Sequence, residues 1–487
     1  MEGHHTVMTA FTRRTVVGAG GASVAALALA ACGASTGGST VGQGQQAGGS
    51  KLAGTMEFWQ PWPVEQPTHG GPIGWKQLSE NYNAKGGARI TMVSPAGNAA
   101  IETPLQTAFA GGNPPDGWQS DQLWVPVWAA KGFAASLDDV MKRDKWDKNQ
   151  IFSSAYETMT WSGKVWAMMQ HPDIVFNWIS LSLMEENGLN VRNLPTTWTQ
   201  LDEIMLKLTK KTGPDQFEFV GGLPHLWQNW QYVLPQANGA KLISDDGRKA
   251  QLDTAEVVEA IEWAKGHLKR VGTFEAISNW RKTGVQPGDN QSPGAEAGTN
   301  DIFGQKKLGV NVNGNWAADN VRRWNKKMQS PLKFATTAVQ SGPRGPKDIK
   351  TNVFSGGILE MARKGGPKLD LIWDFMKYTA SKEGGYWVQL NTSDVCANRE
   401  GAKDPRIIDN ADTGVGRKDF LPLLDTGVGS RTIKHPAAIE IQAEYSKPLT
   451  PFLRDEVGSI RDALKEANRL AQQKIDEFWQ QNPSAGK

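Results

Sequence analysis

Twenty tryptophans against six tyrosines are the first chemical signal in this 487-residue chain. An indole offers a broad apolar plane with one N–H at its edge, so heavy use of it points to stacking against something flat and partly polar. Several of these planes stand beside hydrogen-bonding side chains. Trp59-Gln60 and Trp62 end a β-prone run. Trp118, Asp121, Gln122 and Trp124 follow the turn Asn113-Pro114-Pro115-Asp116. Trp227 and Trp230 lie three apart in a stretch rich in His, Gln and Asn, and Trp316 closes Asn313-Gly314-Asn315-Trp316 among polar, conformationally permissive neighbours. Some of these rings also have a plainer reading. Trp59 fits the core of its own strand, Trp124 can share a helix face with Trp128, and Trp128 itself reads as core. Trp75, Trp146, Trp198, Trp263, Trp373 and Trp479 fall at helical spacings and read as packing residues.

Other chemistries are poorly represented. The seven histidines are scattered and neither a CxxC nor an HExxH occurs, so no metal and no cofactor is expected. Gly18-Ala19-Gly20 and Gly33-Ala34-Ser35-Thr36-Gly37 resemble pieces of a dinucleotide loop and a nucleophile elbow. Both lack the strand–turn–helix context that such motifs need. With 53 Lys and Arg against 50 Asp and Glu, and no long basic run, a nucleic-acid partner is not expected. Hydrophobic residues at 39% and charged ones at 21% allow a sizeable core and exclude wholesale disorder.

The elements that must hold these residues alternate. Thr55–Gln60 and Ala88–Ser94 predict short buried strands, with a helix over Trp75–Lys85 between them, broken by Gly86-Gly87. Thr197 with Gln200 predicts a capping-box start, followed by Leu201, Ile204, Met205 and Leu208 on one face and a stop at Gly213-Pro214. Asp253-Thr254-Ala255-Glu256 opens another helix carrying Val257, Ile261, Ala264 and Leu268. Leu371, Ile372, Phe375 and Met376 mark a third; Ile460, Leu464, Ala467, Ala471, Ile475 and Phe478 mark a long C-terminal one. Asp246-Gly247 reads as a tight hairpin turn. The alternation predicts an α/β fold with largely parallel sheets, in two or three domains or one bilobal body.

The first fifty residues read as an address. Arg13-Arg14 precede an apolar, Ala- and Gly-rich run from Val16 to Ala31 that is too short and too weakly apolar for a membrane span and suits a secretory signal. The arginine pair resembles a twin-arginine signal. Leu29-Ala30-Ala31-Cys32 resembles a bacterial lipobox, which implies that Cys32 is lipidated and that residues 1–32 are the signal. Met8 is an alternative start. Residues 33–50 are a Gly/Ser/Gln tether with an r.m.s. reach of about 25 Å. The expectation is an exported protein, anchored by lipid on the outer face of the cytoplasmic membrane or in the periplasm. With Cys32 lipidated, Cys396 is left alone and no intramolecular disulfide is expected.

Several segments, in order, resemble the extracellular solute-binding proteins of carbohydrate ABC importers, the group that includes maltose-binding protein. They are Gly112-Asn113-Pro114-Pro115-Asp116 with Ala130-Lys131-Gly132-Phe133 and Leu137-Asp138-Asp139; Gly163-Lys164-Val165-Trp166; Leu183-Met184-Glu185-Glu186-Asn187-Gly188-Leu189 with Pro195-Thr196-Thr197-Trp198; Ala237-Asn238-Gly239-Ala240 through Asp246-Gly247; residues 308–316; and Ser355-Gly356-Gly357. The likeness runs from about Thr55 to Phe478. It departs at Ile179-Ser180, where the family often has Tyr-Asn, with Asn177 and Trp178 as candidate replacements.

The resemblance implies a two-lobed periplasmic-binding-protein type II fold whose lobes close on a ligand by hinge motion. The first lobe would take residues 51–170 and 352–404, the second 173–350 and 405–487, crossing near His171-Pro172 and Thr351. It implies a sugar ligand, whose C–H face suits an aromatic plane and whose hydroxyl rim needs polar partners. The number of planes favours an oligosaccharide or glycoside. Asp173 falls on an acidic position at the family's first crossing, and Ser355, Gly356 and Gly357 would bring backbone to the ligand. Permease subunits and a separate ATPase are the implied partners, since no Walker motif is present, and a monomer is expected.

Two alternatives stand beside this reading. A polyamine or peptide ligand on the same fold would use Asp121 and Asp173 as an acidic box. An extracytoplasmic glycosidase would pair two of Asp116, Asp121 and Asp173 across a bond, roughly 5 to 9.5 Å apart. Asp138-Asp139 and Glu185-Glu186 read as solvated or capping charges, and no catalytic residue is expected.

Overall fold

The computed structural model describes residues 52–65, 70–95, 100–227, 229–284, 302–315, 317–318, 321, 325, 331–346, 353–392, 394–410, 417–421, 424, 433–483 and 485. The signal and tether segments, Cys32, Thr351 and Trp316 lie outside the described residues, as does the side chain of Ser355.

One seven-stranded sheet organises the chain. Strands β1 (Gly54–Trp59), β2 (Ala88–Val93) and β3 (Gly117–Ser120) run parallel, with β1 between the other two. The next strands are two short hairpin arms, β4 (Thr160–Trp161) and β5 (Lys164–Val165), and then the long β6 (Met168–Ser180). A second hairpin, β7 (Lys210–Gly213) with β8 (Gln216–Phe219), precedes β9 (Val310–Gly314), β10 (Phe334–Thr337) and β11 (Val353–Ala362). The order is β10-β6-β11-β3-β1-β2, with β9 also on β6.

The expectation of largely parallel sheets is corrected here. Among the described strands, β1 with β2 and β1 with β3 pair in parallel, while β11 runs antiparallel to both β3 and β6, and β9 and β10 run antiparallel to β6. Two long strands pass through the middle of the sheet, and each must turn its direction against the strands it meets. Local periodicity reports burial, not the sense of pairing. The predicted crossing at His171-Pro172 lies inside β6, which continues unbroken past it.

Strand alternation explains the first layer. Met56 and Phe58 of β1 and Ile90 and Met92 of β2 are buried, while Thr55 and Glu57 face outwards. Phe58 lies between Trp75 and Phe375, 6.3 and 5.5 Å from their ring centres, a burial that contributes about 2–3 kcal/mol. Trp75 comes from the helix Gly70–Ala84. Phe375 comes from the helix Leu369–Thr379, whose predicted face of Leu371, Ile372, Phe375 and Met376 is wholly buried. Strand β6 is buried along nearly its whole length, as expected of a central strand covered on both faces.

The other predicted helices form with shifted ends. Thr197 accepts from the backbone N–H of Gln200 and starts Trp198–Lys207, although Gln200 reaches back to Thr196 rather than to Thr197. This helix ends at Leu208, before Gly213. Helix Ala255–Val271 buries Val257, Ile261, Ala264 and Leu268. The C-terminal helix Ile460–Gln481 is capped by Ser459 and buries Ile460, Leu464, Ala467, Ala471 and Ile475. Its Asn468 and Gln472 accept from the backbone of Leu252 and Ala250, and Trp479 donates to Gly247. Gly247 sits at φ +67° in the predicted Asp246-Gly247 turn.

Of the expected packing tryptophans, Trp75, Trp128, Trp198 and Trp373 are buried; Trp146, Trp263 and Trp479 are half-buried. Cys396 is fully buried, its sulfur accepting from the backbone of Asn398, and burial pushes its thiol up to about 12. In the chain beginning at Gly33, a thiol-specific alkylating reagent is expected to label Cys396 only after denaturation. Mass spectrometry before and after guanidinium treatment checks this, and stoichiometric labelling of the native protein would contradict it.

Candidate functional site

Strand β6 carries the chemical centre. His171 and Asp173, two apart, lie on the same face of the strand. His171 is buried, and its Nδ1 meets the side-chain oxygen of Gln170. Its Nε2 lies 3.8 Å from Asp173 Oδ1 and 3.6 Å from Asp394 Oδ2. These distances exceed hydrogen-bonding range. Burial holds the imidazole down towards its neutral form, against the opposing pull of Asp394. Burial, then the charges of Asp394 and Asp121, holds the Asp173 carboxyl well above the ordinary range.

Asp394 arrives from far along the chain and is fixed by three contacts. Asn315, at the end of β9, pairs with Ile174 of β6 in both directions at 3.0 Å and donates from Nδ2 to Asp394 Oδ1 at 3.1 Å. Thr392 accepts from the Asp394 backbone. Arg417, fully buried, donates to the carbonyls of Asp394, Gln389 and Thr392 and so holds the loop's path.

Asp121 approaches from the end of β3. It accepts from the backbone N–H of Leu123 at 2.9 Å. Burial pushes its carboxyl up to about 6, the Leu123 N–H pulls it down, and the charge of Glu102 pushes it up again. Tyr232, on the helix Trp230–Ala237, is held above the usual phenol range by burial and then by the Asp121 charge. Trp230 begins that helix half-buried and touches all three hydrophobic clusters of the molecule, and Leu123 packs on the cluster that contains Tyr232. Gln122 beside Asp121 is buried, with neither amide atom bonded to a described residue.

The structure therefore brings Asp173 together with His171 and Asp394, with the Asp121 charge felt at Asp173 and at Tyr232; of these the sequence reading did not offer His171, Asp394 or Tyr232 as ligand residues. It places the other candidates differently. Trp118 is fully buried and packs edge-on against Phe109 at 5.5 Å. Trp227 is buried against Trp263, leaving Trp230 as the more open of that pair. Trp124 is half-buried and stacks on buried Trp128 at 4.8 Å. Trp59 is half-buried, donating to Glu57 on the outward face of β1.

Gln60 is fully buried and works as a brace. Its side chain bonds both the N–H and the carbonyl of Trp62, holding that half-buried ring in its loop. Gly356 stands opposite Asp173 and Gly357 opposite Pro172 in the β6–β11 register. Gly357 has φ +145°, and a Cβ there would lie 2.8 Å from the His171 carbonyl, so only glycine permits this approach. Asn177 and Trp178 are buried within the sheet, Asn177 bonded to Ala338 and Gln340 and Trp178 to Asn313; both brace β6. Asp116 is taken by the Glu57 N–H and the Lys368 ammonium.

A mixed sheet threaded by two long strands, with carboxylates gathered where those strands run side by side, defines a two-lobed α/β binding-protein fold. Solved structures share it. The chain of "CpMnBP1 with Mannotriose Bound" superposes with a TM-score of 0.70 at 21% identity, over 86% of this chain and 99% of that one. MalE, the sugar-binding protein of Xanthomonas citri, gives 0.66 at 17% over 88% and 100%. The acarbose-binding GacH receptor of Streptomyces glaucescens gives 0.64 at 18% over 88% and 99%. In sequence, the chain is 25% identical to the diacetylchitobiose binding protein DasA of Streptomyces coelicolor, over 95% of this chain and all of that one. Residues 70–386 match the family described as bacterial extracellular solute-binding protein, and the chain belongs to that family. Among the described residues no helix is long and apolar enough to cross a membrane.

Proposed function

We propose that this protein captures an oligosaccharide or glycoside outside the cytoplasm and delivers it to a membrane ABC importer. The observation that carries this reading is the cluster of His171, Asp173 and Asp394 on the long strand β6, with the charge of Asp121 felt at both Asp173 and Tyr232 and half-buried Trp230 on the Tyr232 helix. Carboxylates and a phenol suit a hydroxyl rim, and the indole suits a C–H face. Likeness in fold to proteins with bound mannotriose or acarbose, and in sequence to a diacetylchitobiose-binding protein, supports it.

Residues 51–170 with 352–404 would form one lobe and residues 173–350 with 405–487 the other, closing about β6 and β11. Trp62, braced by Gln60, and Trp316 complete the set of ligand planes, with Gln122 on the rim. Trp59, Trp118 and Trp227 support these groups from behind. The protein acts as a monomer without catalysing a reaction, held to the membrane by lipid on Cys32 after export through the twin-arginine signal. Asp116, engaged by Lys368, is unavailable as the partner of a second catalytic carboxyl.

Intrinsic tryptophan fluorescence of the chain beginning at Gly33, titrated with mono- and oligosaccharides, tests this. A saturable shift with the saccharide recovered intact is expected. Trp230→Ala is expected to weaken binding about tenfold by removing one stacking plane. Cleaved saccharide, or no shift with any saccharide, would overturn the reading.

A further inference from the structure

We infer that the ligand carries a protonated amine, seated on Asp173, Asp394 and His171. The inference rests on the saccharide reading above and narrows it from neutral sugars to amine-bearing ones. One donor atom from each of the three residues lies within 4.8 Å of the others, and His171 is nine-tenths buried. Its Nδ1 is engaged by the Gln170 side chain, which leaves Nε2 facing the carboxyls. Nε2 faces the Asp394 and Asp173 carboxyls at 3.6 and 3.8 Å, beyond hydrogen-bonding range of either. Burial holds the Asp173 carboxyl towards its protonated form in the free protein, and an arriving ammonium would let it ionise, so that three acceptors converge on one point.

The charge around the cluster sharpens the point. The Asp173 and Asp394 carboxyls both face His171 within 4 Å. Asn315 supplies Asp394 with one neutral donor, and the Arg417 bonds given above go to backbone carbonyls and the Gln389 amide. A neutral hydroxyl would answer one of these acceptors. An ammonium answers all three with charge-assisted N–H bonds of about 2.7–2.9 Å, which span the present separations. A zinc ion, with bonds of about 2.0–2.2 Å, would have to draw the three atoms together.

A protonated amine can belong to an amino sugar or to a polyamine, and the test separates them. Calorimetric titrations of the chain beginning at Gly33 at neutral pH would use five probes: a glucosamine disaccharide, its di-N-acetyl form, the corresponding glucose disaccharide, spermidine, and Zn²⁺ alone. The free-amine disaccharide is expected to bind at least about tenfold tighter than its two neutral counterparts. That ratio is expected to collapse towards unity in Asp394→Asn, and also in His171→Gln, a second variant should the first misfold.

Equal or tighter binding of the neutral disaccharides would overturn the inference while leaving the saccharide function standing. Binding of spermidine without any saccharide would overturn the saccharide function and assign the amine site to a polyamine. Stoichiometric Zn²⁺ binding lost in Asp394→Asn would replace the amine by a metal. Silence with all five would overturn both readings.

Discussion

Gly221→Ala is expected to destabilise the protein by at least about 3 kcal/mol, the largest loss foreseen for a single methyl group in this chain. A Cβ at Gly221 would lie 1.7 Å from the carbonyl oxygen of Met205 and 2.5 Å from its carbon. Both are backbone atoms of the helix Trp198–Lys207, so no rotamer change relieves the contact. On its other side Gly221 is fixed by its N–H to Thr209 Oγ1 at 3.0 Å and its carbonyl to the Val310 N–H at 2.7 Å. The methyl group must therefore push the helix away or break the bonds to β9. Strand β9 ends at Gly314, and Asn315 next to it holds Asp394, so ligand binding should fall with stability. Gly266→Ala is the control. It lies within helix Ala255–Val271 with nothing within 4 Å of its Cβ, so alanine there should stabilise by about 0.5–1 kcal/mol. Guanidinium unfolding of both variants decides the matter. A Gly221→Ala midpoint close to the parent's would show that the helix yields freely.

The parts of the fold legible in the sequence were those set by a local rule. Period two gave β1 and β2, period 3.6 gave the faces of Leu369–Thr379 and Ile460–Gln481, and Asp246-Gly247 gave its turn. The site was harder because its residues meet through the sheet. Asp121 and Asp173 stood out as acids beside aromatic or crossing segments. Asp394 had no local mark, and Asn315, Thr392 and Arg417 hold it beside His171. Tryptophan misled in the other direction. Trp118 sits among polar residues yet pairs with Trp59 in parallel register and is covered by Phe109. Trp227 and Trp230 look alike in sequence, but Trp227 packs on Trp263 and is lost to the core. Composition raised the expectation of stacking planes without saying which rings would supply them. That choice is made by register and by the neighbouring helix.

The second large effect has the opposite sign on stability: Asp121→Asn is expected to stabilise the free protein at and above neutral pH by about 1–2 kcal/mol. The Asp121 carboxyl titrates near 6 in the folded chain against 3.8 when free, chiefly because burial disfavours its charge. The folded state thus holds this proton more tightly than the unfolded state does. The stability it contributes is full below about pH 4 and is lost as pH rises through 6. Asparagine keeps an oxygen for the Leu123 N–H and carries no charge to bury, so it escapes that loss. The two proteins should have similar midpoints near pH 4, with the variant drawing ahead between pH 4 and 7 and staying ahead above. Thermal unfolding across that range checks it, and a constant offset, or a variant that falls behind above pH 6, would sink the argument. The same substitution removes a charged acceptor beside Tyr232 and Asp173, so saccharide affinity should fall by about tenfold or more while stability rises. An acid that only served packing would be better replaced by its amide. Retaining one whose charge costs stability fits the proposed binding role, in which that charge would be answered by the ligand.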